Sequence, residues 1–174
     1  MQYRRVRSDG GCYFFTVVTH HRRPILTENI DLLRQAFRVV MQQYPFQIDG
    51  IVVMPDHLHC IWQLPKQDGD YSKRWSIIKR HFSTRLPNMA DRASLKSKHE
   101  RGIWQRRFWE HAIRDDNDWR RHMDYLHFNP VKHGYVRRVG DWPYSSFPRC
   151  VEKGWYPTDW GLLEPESIRT LNLD

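Results

Sequence analysis

Two histidines one residue apart, His57 and His59, stand in the otherwise apolar stretch VVMPDHLHCIW. Alternate side chains on a β-strand share a face, so the spacing predicts that both imidazoles project together while Leu58 points the other way. Neutral imidazole binds borderline divalent metals, and two such ligands leave most of the coordination sphere open, as a catalytic site requires. The spacing also fits two hydrogen-bonded histidines in a half-buried strand, so it does not by itself decide for a metal site.

A second pair of chemically capable residues, Tyr125 and Asn129, occurs in the stretch DYLHFNP. Four residues apart on a helix, they lie on one face and one turn apart. Trp119, Met123 and Leu126 form the predicted buried stripe on another side, so Tyr125 is not needed for the core pattern. A phenol with its usual pKa of about 10 is a poor nucleophile, but a metal ion or basic neighbours can activate it. An amphipathic surface tyrosine is the alternative interpretation.

Periodicity predicts the elements that would position these residues. The β-branched and aromatic residues 12–19 indicate a strand, and apolar residues at three- and four-residue steps between 30 and 44 indicate a helix that Pro45 ends. FQIDGIVVM and HLHCIWQL read as two strands joined by a Pro55-Asp56 turn. A basic helix over about 72–86 and a polar loop over 87–102 lead to a fourth strand in IWQRRFWEHAI.

The predicted order βαββαβ is typical of the α+β, ferredoxin-like split βαβ pattern. Both helices would then cover one face of an antiparallel sheet and leave the other face free for a ligand. A third helix should start near Asn117 or Asp118 and stop before Pro130. The remaining sequence, rich in proline and aromatics, predicts an extended C-terminal tail. We therefore divide the chain into a domain over 1–145 and a tail over 146–174 packed on that domain.

Composition favours a nucleic-acid partner. Lys and Arg number 28 against 20 Asp and Glu, which gives a net charge of +8, and 14% of the residues are aromatic; this balance suits a polyanion. The three cysteines show no CxxC spacing, which argues against disulfides or a zinc knuckle. The basic opening MQYRRVRSDGGCYFF precedes no long apolar run, so we expect neither a signal peptide nor a membrane span. We expect a cytoplasmic location.

Taken together, MPDHLHCIW, GIWQRRFWEHAIRDD, HMDYLHFNPVKHGYV and DWPYSSF resemble the HUH single-tyrosine transposases of the insertion-sequence type. Within that family the chain is most similar to the REP-associated tyrosine transposases. The similarity extends over roughly 11–156, and the NP ending of the helix motif and the DWP.SS segment are its more specific features. The resemblance implies a ferredoxin-like catalytic core, in agreement with the predicted strand order.

The resemblance also implies roles for individual residues. His57 and His59 match the family's HxH metal motif, and Tyr125 matches the nucleophile on the added C-terminal helix. Asn129 takes the place of the third metal ligand, where insertion-sequence relatives commonly have Gln. The cofactor would be Mg²⁺ or Mn²⁺, and the reaction would cut and rejoin single-stranded DNA beside a REP-type hairpin through a 5′-phosphotyrosine. A monomer is expected for this branch.

Single-stranded DNA calls for stacking aromatics and a basic groove. The candidates for stacking are Trp62, Tyr71 and Trp104, and those for phosphate contacts are Lys73, Arg74, Lys79, Arg80, Arg106 and Arg107. Each tryptophan could instead belong to the core, and each cation could be a solvated surface charge.

Two other functions fit parts of the sequence. A non-catalytic ferredoxin-like module that binds single-stranded nucleic acid would share the charge and the aromatics, although no strand shows the aromatic RNP1 pattern. A two-histidine phosphoesterase needs a pair of H-x-S/T motifs on strands, and the chain offers only HFS at His81, in a predicted helix.

Overall fold

A computed structural model describes residues 10–171 and 173. The basic opening segment before Gly10 and the last positions of the predicted tail, 172 and 174, lie outside the described residues. Four strands form one antiparallel sheet in the order β2-β3-β1-β4. The strands span Cys12–Val18 (β1), Gln47–Val53 (β2), His57–Gln63 (β3) and Trp109–Ala112 (β4). The prediction of a mixed α+β chain with a four-stranded antiparallel sheet is confirmed.

One face of the sheet is covered by two helices, α1 (Ile30–Gln43) and α2 (Tyr71–Ser83). Their apolar stripes meet the strand residues that point to this side in one buried cluster, because a helix and a strand each bury the face on which their apolar residues recur. Asp70 caps the N-terminus of α2, where its carboxylate accepts a hydrogen bond from the Lys73 backbone N–H. We call this the α1/α2 face.

The opposite face is covered by α4 (Asp116–Lys132) and by the C-terminal segment, so the expectation that this face is free for a ligand is wrong. Helix α4 approaches β2 closely because Gly50 has no side chain; a Cβ there would lie 2.6 Å from the Met123 sulfur. This is the α4 face. None of the helices in the described part of the chain is both long and apolar enough to cross a bilayer.

Two predicted boundaries of α4 are wrong. The cap is Asp115, whose carboxylate accepts from the Asp118 N–H; it lies two residues before Asn117 and three before Asp118, the predicted caps. At the other end, Pro130 lies inside the helix. A proline there forfeits the hydrogen bond to the carbonyl of Leu126, but Pro130 is buried, and the helix still closes with the His133 N–H donating to the Asn129 carbonyl.

The loop and the tail carry short helices that the sequence pattern did not predict. The polar segment after α2 contains α3 (Ala93–Ser97). The C-terminal segment is not extended throughout, because α5 (Phe147–Glu152) forms there, and Pro148 lies in its first turn, where its missing N–H costs no helical hydrogen bond. Phe147 and Cys150 of α5 are buried in the cluster of the α4 face.

Candidate functional site

The two histidines of the HxH motif lie on β3, which runs between β2 and β1. His57 and His59 are 2% and 0% exposed, and their ring centroids lie 5.0 Å apart. Both belong to the α4 face, whereas Leu58 belongs to the core cluster of the α1/α2 face. The alternation of the strand therefore places the two imidazoles together under α4.

Hydrogen bonds fix the orientation of both rings. His57 Nδ1 lies 2.6 Å from Asp56 Oδ1, and His59 Nδ1 lies 2.9 Å from Thr16 Oγ1. The Thr16 hydroxyl donates its own hydrogen to the Leu173 carbonyl, so it accepts from His59. Each histidine therefore carries its hydrogen on Nδ1 and a lone pair on Nε2, the arrangement that metal-binding histidines adopt when a second group holds the other nitrogen.

Asp56 is ionised in this arrangement. Burial alone would raise the pKa of Asp56, but the hydrogen bonds from His57 and Arg22, together with the positive charge of Arg22, outweigh burial and lower the pKa to about 2. The Arg22 guanidinium lies 3.0 Å from the second carboxylate oxygen. A charged carboxylate on Nδ1 makes the opposite nitrogen of His57 a stronger electron-pair donor.

Asn129 completes the group from α4. It is 0% exposed, and its Oδ1 lies 3.3 Å from His57 Nε2. With the hydrogen of a neutral His57 on Nδ1, this contact would bring two electron-pair donors together. A divalent cation bound by both atoms would resolve that contact, and two imidazole nitrogens with one amide oxygen form a suitable mixed donor set. The residues present therefore fit a divalent metal.

Tyr125 lies one turn before Asn129 on α4, with its ring centroid 5.5 Å from that of His59. Its hydroxyl oxygen accepts hydrogen bonds from Lys132 Nζ at 3.0 Å and from the Leu173 N–H at 3.1 Å. Two donors, one of them charged, stabilise negative charge on the phenol oxygen. Tyr125 is only 1% exposed, so the expectation of a residue outside the core pattern is wrong. It is buried because its side of α4 faces Phe14 and His59 of the sheet, and Leu173 of the C-terminal segment contacts its hydroxyl.

Two of the predicted DNA-contacting side chains belong to the interior, and a third is nearly buried. Trp62 is 0% exposed, and its ring lies 4.4 Å from that of Trp75, so it offers no platform for a base. The Arg74 guanidinium is buried and binds both oxygens of the Asp68 carboxylate at 3.0 and 2.7 Å. Trp104 is 9% exposed, packs on Phe82 of α2 and lines a cleft beside that helix, so it stays a candidate contact. The predictions for Trp62 and Arg74 were wrong, because both faces of β3 are covered and the Asp68 carboxylate already binds the Arg74 guanidinium.

The other predicted contacts lie at or near the surface. Lys73, Arg80, Arg106 and Arg107 are exposed, and Tyr71 and Lys79 are half-buried. Burial lowers the pKa of Lys79 to about 8. Lys79 and Arg80 line a cleft of about 930 Å³ between α2 and the loop after it, together with Arg106. That cleft gathers cations that the sequence had placed on separate elements.

Sequence reasoning missed three residues of the site. Thr16, Lys132 and Leu173 contact His59 or Tyr125, but the contacts of Thr16 and Leu173 join distant segments, and no local pattern points to them. Lys132 carries a signal that could have been used, because it follows Tyr125 by seven residues and shares its helix face.

Among the residues that the structure describes, two further groups of side chains have spacings compatible with a metal. In one of them, His111 on β4 and His122 on α4 stack at 4.6 Å, and Asp118 lies within hydrogen-bonding distance of both. Burial alone would raise the pKa of Asp118, but hydrogen bonds from the Arg114 backbone and from His111 lower it to about 2. These bonds tie β4 to α4. The other group consists of His20, His21 and Asp91.

Comparisons with known proteins match most of the chain. The family model described as "Transposase IS200 like" matches residues 10–127. A REP-associated tyrosine transposase of Escherichia coli K12 is 48% identical over 160 residues, covering 91% of this chain and 90% of that protein. A Haemophilus influenzae protein with a similar name is 47% identical over 162 residues, which cover 91% of this chain and 92% of that protein. A solved structure of a REP-associated tyrosine transposase bound to a REP hairpin matches with a TM-score of 0.76 and 42% identity over 99% of both chains.

Proposed function

The chain belongs to the family of IS200-like transposases, and on that basis we propose that it cuts and rejoins single-stranded DNA beside a hairpin, with Tyr125 as the nucleophile. The observation that carries the proposal is the position of the Tyr125 phenol. Its ring lies 5.5 Å from that of His59, on a separate helix, and its oxygen accepts two hydrogen bonds. A nucleophile beside a group that can hold a metal is the arrangement that phosphoryl transfer requires.

His57, His59 and Asn129 would hold one Mg²⁺ or Mn²⁺ ion through Nε2, Nε2 and Oδ1. When bound, the ion withdraws charge from the scissile phosphate and orients it. Mixed nitrogen and oxygen ligation suits Mn²⁺, while Mg²⁺ prefers oxygen and water. Asp56 and Thr16 hold the two rings in position through Nδ1.

The Tyr125 oxygen attacks phosphorus in line with the bond to the 3′-oxygen. An oxygen–phosphorus bond to Tyr125 forms as that bond breaks. The phenol gives up its proton to solvent and the departing 3′-oxygen takes one up, which leaves a 5′-phosphotyrosine and a free 3′-OH. Lys132 donates to the phenol oxygen and so stabilises the phenolate before attack. The reverse attack of a 3′-OH restores the phosphodiester, and because each step exchanges one ester for another, no ATP is needed. The Leu173 N–H has to leave the phenol oxygen for the DNA to enter.

Fold and partners are inferred from the same premise. The strand order β2-β3-β1-β4 with α1 and α2 on one face supports a ferredoxin-like core to which α4 adds the nucleophile. We keep the division into a domain over 1–145 and a tail over 146–174, and we infer a monomer. The relative of known structure is bound to a REP hairpin; a hairpin of this class with an unpaired flank is the proposed substrate. Tyr71, Lys73, Lys79, Arg80, Trp104, Arg106 and Arg107 are the candidates for its contacts.

The test uses labelled hairpin oligonucleotides with unpaired flanks, Mn²⁺ and a denaturing gel. Wild-type protein should form a covalent adduct that protease removes and EDTA prevents. Tyr125→Phe should bind the same DNA and form no adduct, because the variant lacks only the attacking oxygen. Tyr135→Phe is the matched control, since Tyr135 is 50% exposed and packs on Trp142 instead of the histidine pair.

Two outcomes would contradict the proposal. An adduct at wild-type level in Tyr125→Phe would assign the nucleophile to another residue. Metal-independent binding by the wild-type protein with no adduct on any hairpin would favour the non-catalytic binding module instead.

A further inference from the structure

A cavity of about 480 Å³ opens directly beside the catalytic residues. Two of its lining residues also belong to the candidate site: Thr16, which accepts from His59, and Leu173, which donates to Tyr125. A molecule in this cavity would therefore lie next to whatever group reacts at Tyr125. The volume is in the range of cavities that hold small ligands or parts of larger ones.

Trp109 forms one wall of the cavity. All eight tryptophans lie in the described part of the chain, and Trp109 is the one with an exposed side chain, at 43%. It stands on β4 directly opposite Thr16 of β1, so both side chains project on the α4 face. An exposed indole offers a flat aromatic surface on which another ring can stack.

The indole is already held in position. Its ring is nearly parallel to that of His111, at 9° and 5.9 Å between centroids, and Phe14 meets it edge to face. Because neighbours fix the ring, little side-chain freedom would be lost when a flat ligand stacks on it. The rest of the lining includes the cation of Arg107, Arg22, whose guanidinium also pairs with Asp56, and an exposed amide from Gln105.

An aromatic plane flanked by cations is the combination that binds unpaired nucleotides, with the base on the ring and the phosphate on the cations. An amide side chain can in addition hydrogen-bond the edge of a splayed base. We propose that this cavity holds the nucleobase next to the scissile phosphate, stacked on Trp109. The inference rests on the proposed function, and it assigns to Trp109 the placement of the unpaired strand at the catalytic residues.

The experiment measures binding in the Tyr125→Phe background, so that cleavage does not interfere. The probes are a REP-type hairpin with unpaired extensions on both sides and the same hairpin without them. Trp109→Ala should weaken binding of the extended hairpin by about 5- to 100-fold, the loss expected for one stacked base, and leave the bare hairpin unchanged. Trp109→Phe should retain most of the affinity. Tyr135→Ala removes an equally exposed aromatic outside the cavity and should change neither.

Abasic substitutions in the extension locate the base. At one position of the extension, removing the base should weaken binding to the protein with Trp109 as much as Trp109→Ala does. The same removal should cause no further loss of affinity in the Trp109→Ala protein. Quenching of 2-aminopurine at that position by Tyr125→Phe protein, reduced in Trp109→Phe, reports the stack without relying on the alanine variant. Unchanged affinity in Trp109→Ala, or an equal loss for both hairpins, would overturn the inference and leave the proposed function standing. Failure to bind either hairpin with Trp109 intact would overturn both.

Discussion

The two sides of β3 are equally buried but differ in chemistry. Every residue of the strand is buried, yet Trp62 on the α1/α2 face packs among aromatic rings, whereas His59 on the α4 face is hydrogen-bonded to a hydroxyl and lies beside a phenol. The structure describes all ten histidines of the chain, and the four that are buried all lie on the α4 side. Burial alone therefore does not distinguish a core from a site; the identity of the buried groups and their hydrogen bonds do.

The aromatic side should respond to mutation through stability. Trp62→Ala is expected to lower the free energy of unfolding by about 3–5 kcal/mol, because it leaves a cavity between Phe46 and Trp75, whose rings lie 4.2 and 4.4 Å from that of Trp62. Urea unfolding followed by circular dichroism measures the loss. The milder Trp62→Phe should stay folded and bind hairpin DNA as the wild type does. Weaker binding by that folded variant would show that Trp62 contributes to DNA binding.

The histidine side should respond through metal binding. Thr16→Val keeps the shape of the side chain but removes the hydroxyl that accepts from His59 Nδ1. We expect Mn²⁺ affinity to fall by about 10- to 100-fold, as for other groups that orient a metal-binding histidine. Isothermal titration calorimetry measures the change. Thr16→Ser retains the hydroxyl and should keep most of the wild-type Mn²⁺ affinity. If Thr16→Val and Thr16→Ser bound Mn²⁺ with equal affinity, the Thr16 hydroxyl would have no role in orienting His59 for the metal.

The sequence predicts what short spacings determine. Alternation on a strand predicts that His57 and His59 share a face, and the helical repeat predicts that Tyr125 and Asn129 lie one turn apart. It does not predict which faces become buried, because that depends on segments far away in the chain. Thr16 and Leu173, which are 157 positions apart, meet beside His59 and Tyr125.

The errors have the same origin. Trp62 and Arg74 have the residue types of a DNA surface, but β2, β1 and α1 enclose the first, and the Asp68 carboxylate neutralises the second. Pro130 was expected to end α4 on local grounds, and the helix continues past it where tertiary packing buries the proline. Local rules give the pairs of residues, and long-range packing decides which pairs are available to a ligand.

The smallest expected difference between the two sides is in their pH dependence. Burial, and next the charge of Arg149, lower the pKa of His127 from 6.5 to about 3. The folded chain therefore keeps this imidazole neutral, while the unfolded chain protonates it below about pH 6.5. Its contribution to stability is complete above that pH and is lost as the pH falls toward about 3, with a loss of about 1.4 kcal/mol at about pH 5.5.

His127→Gln removes that titration, so its free energy of unfolding should fall less steeply than that of the wild type between about pH 8 and pH 5.5. Trp62→Phe is the matched control, because it alters the α1/α2 face, to which no buried histidine contributes, and its pH dependence should parallel that of the wild type. Urea unfolding at each pH provides the comparison. If all three proteins lose stability in parallel, the imidazole of His127 is protonated as easily in the folded chain as in the unfolded one, and the α4 face is more accessible to water than its burial indicates.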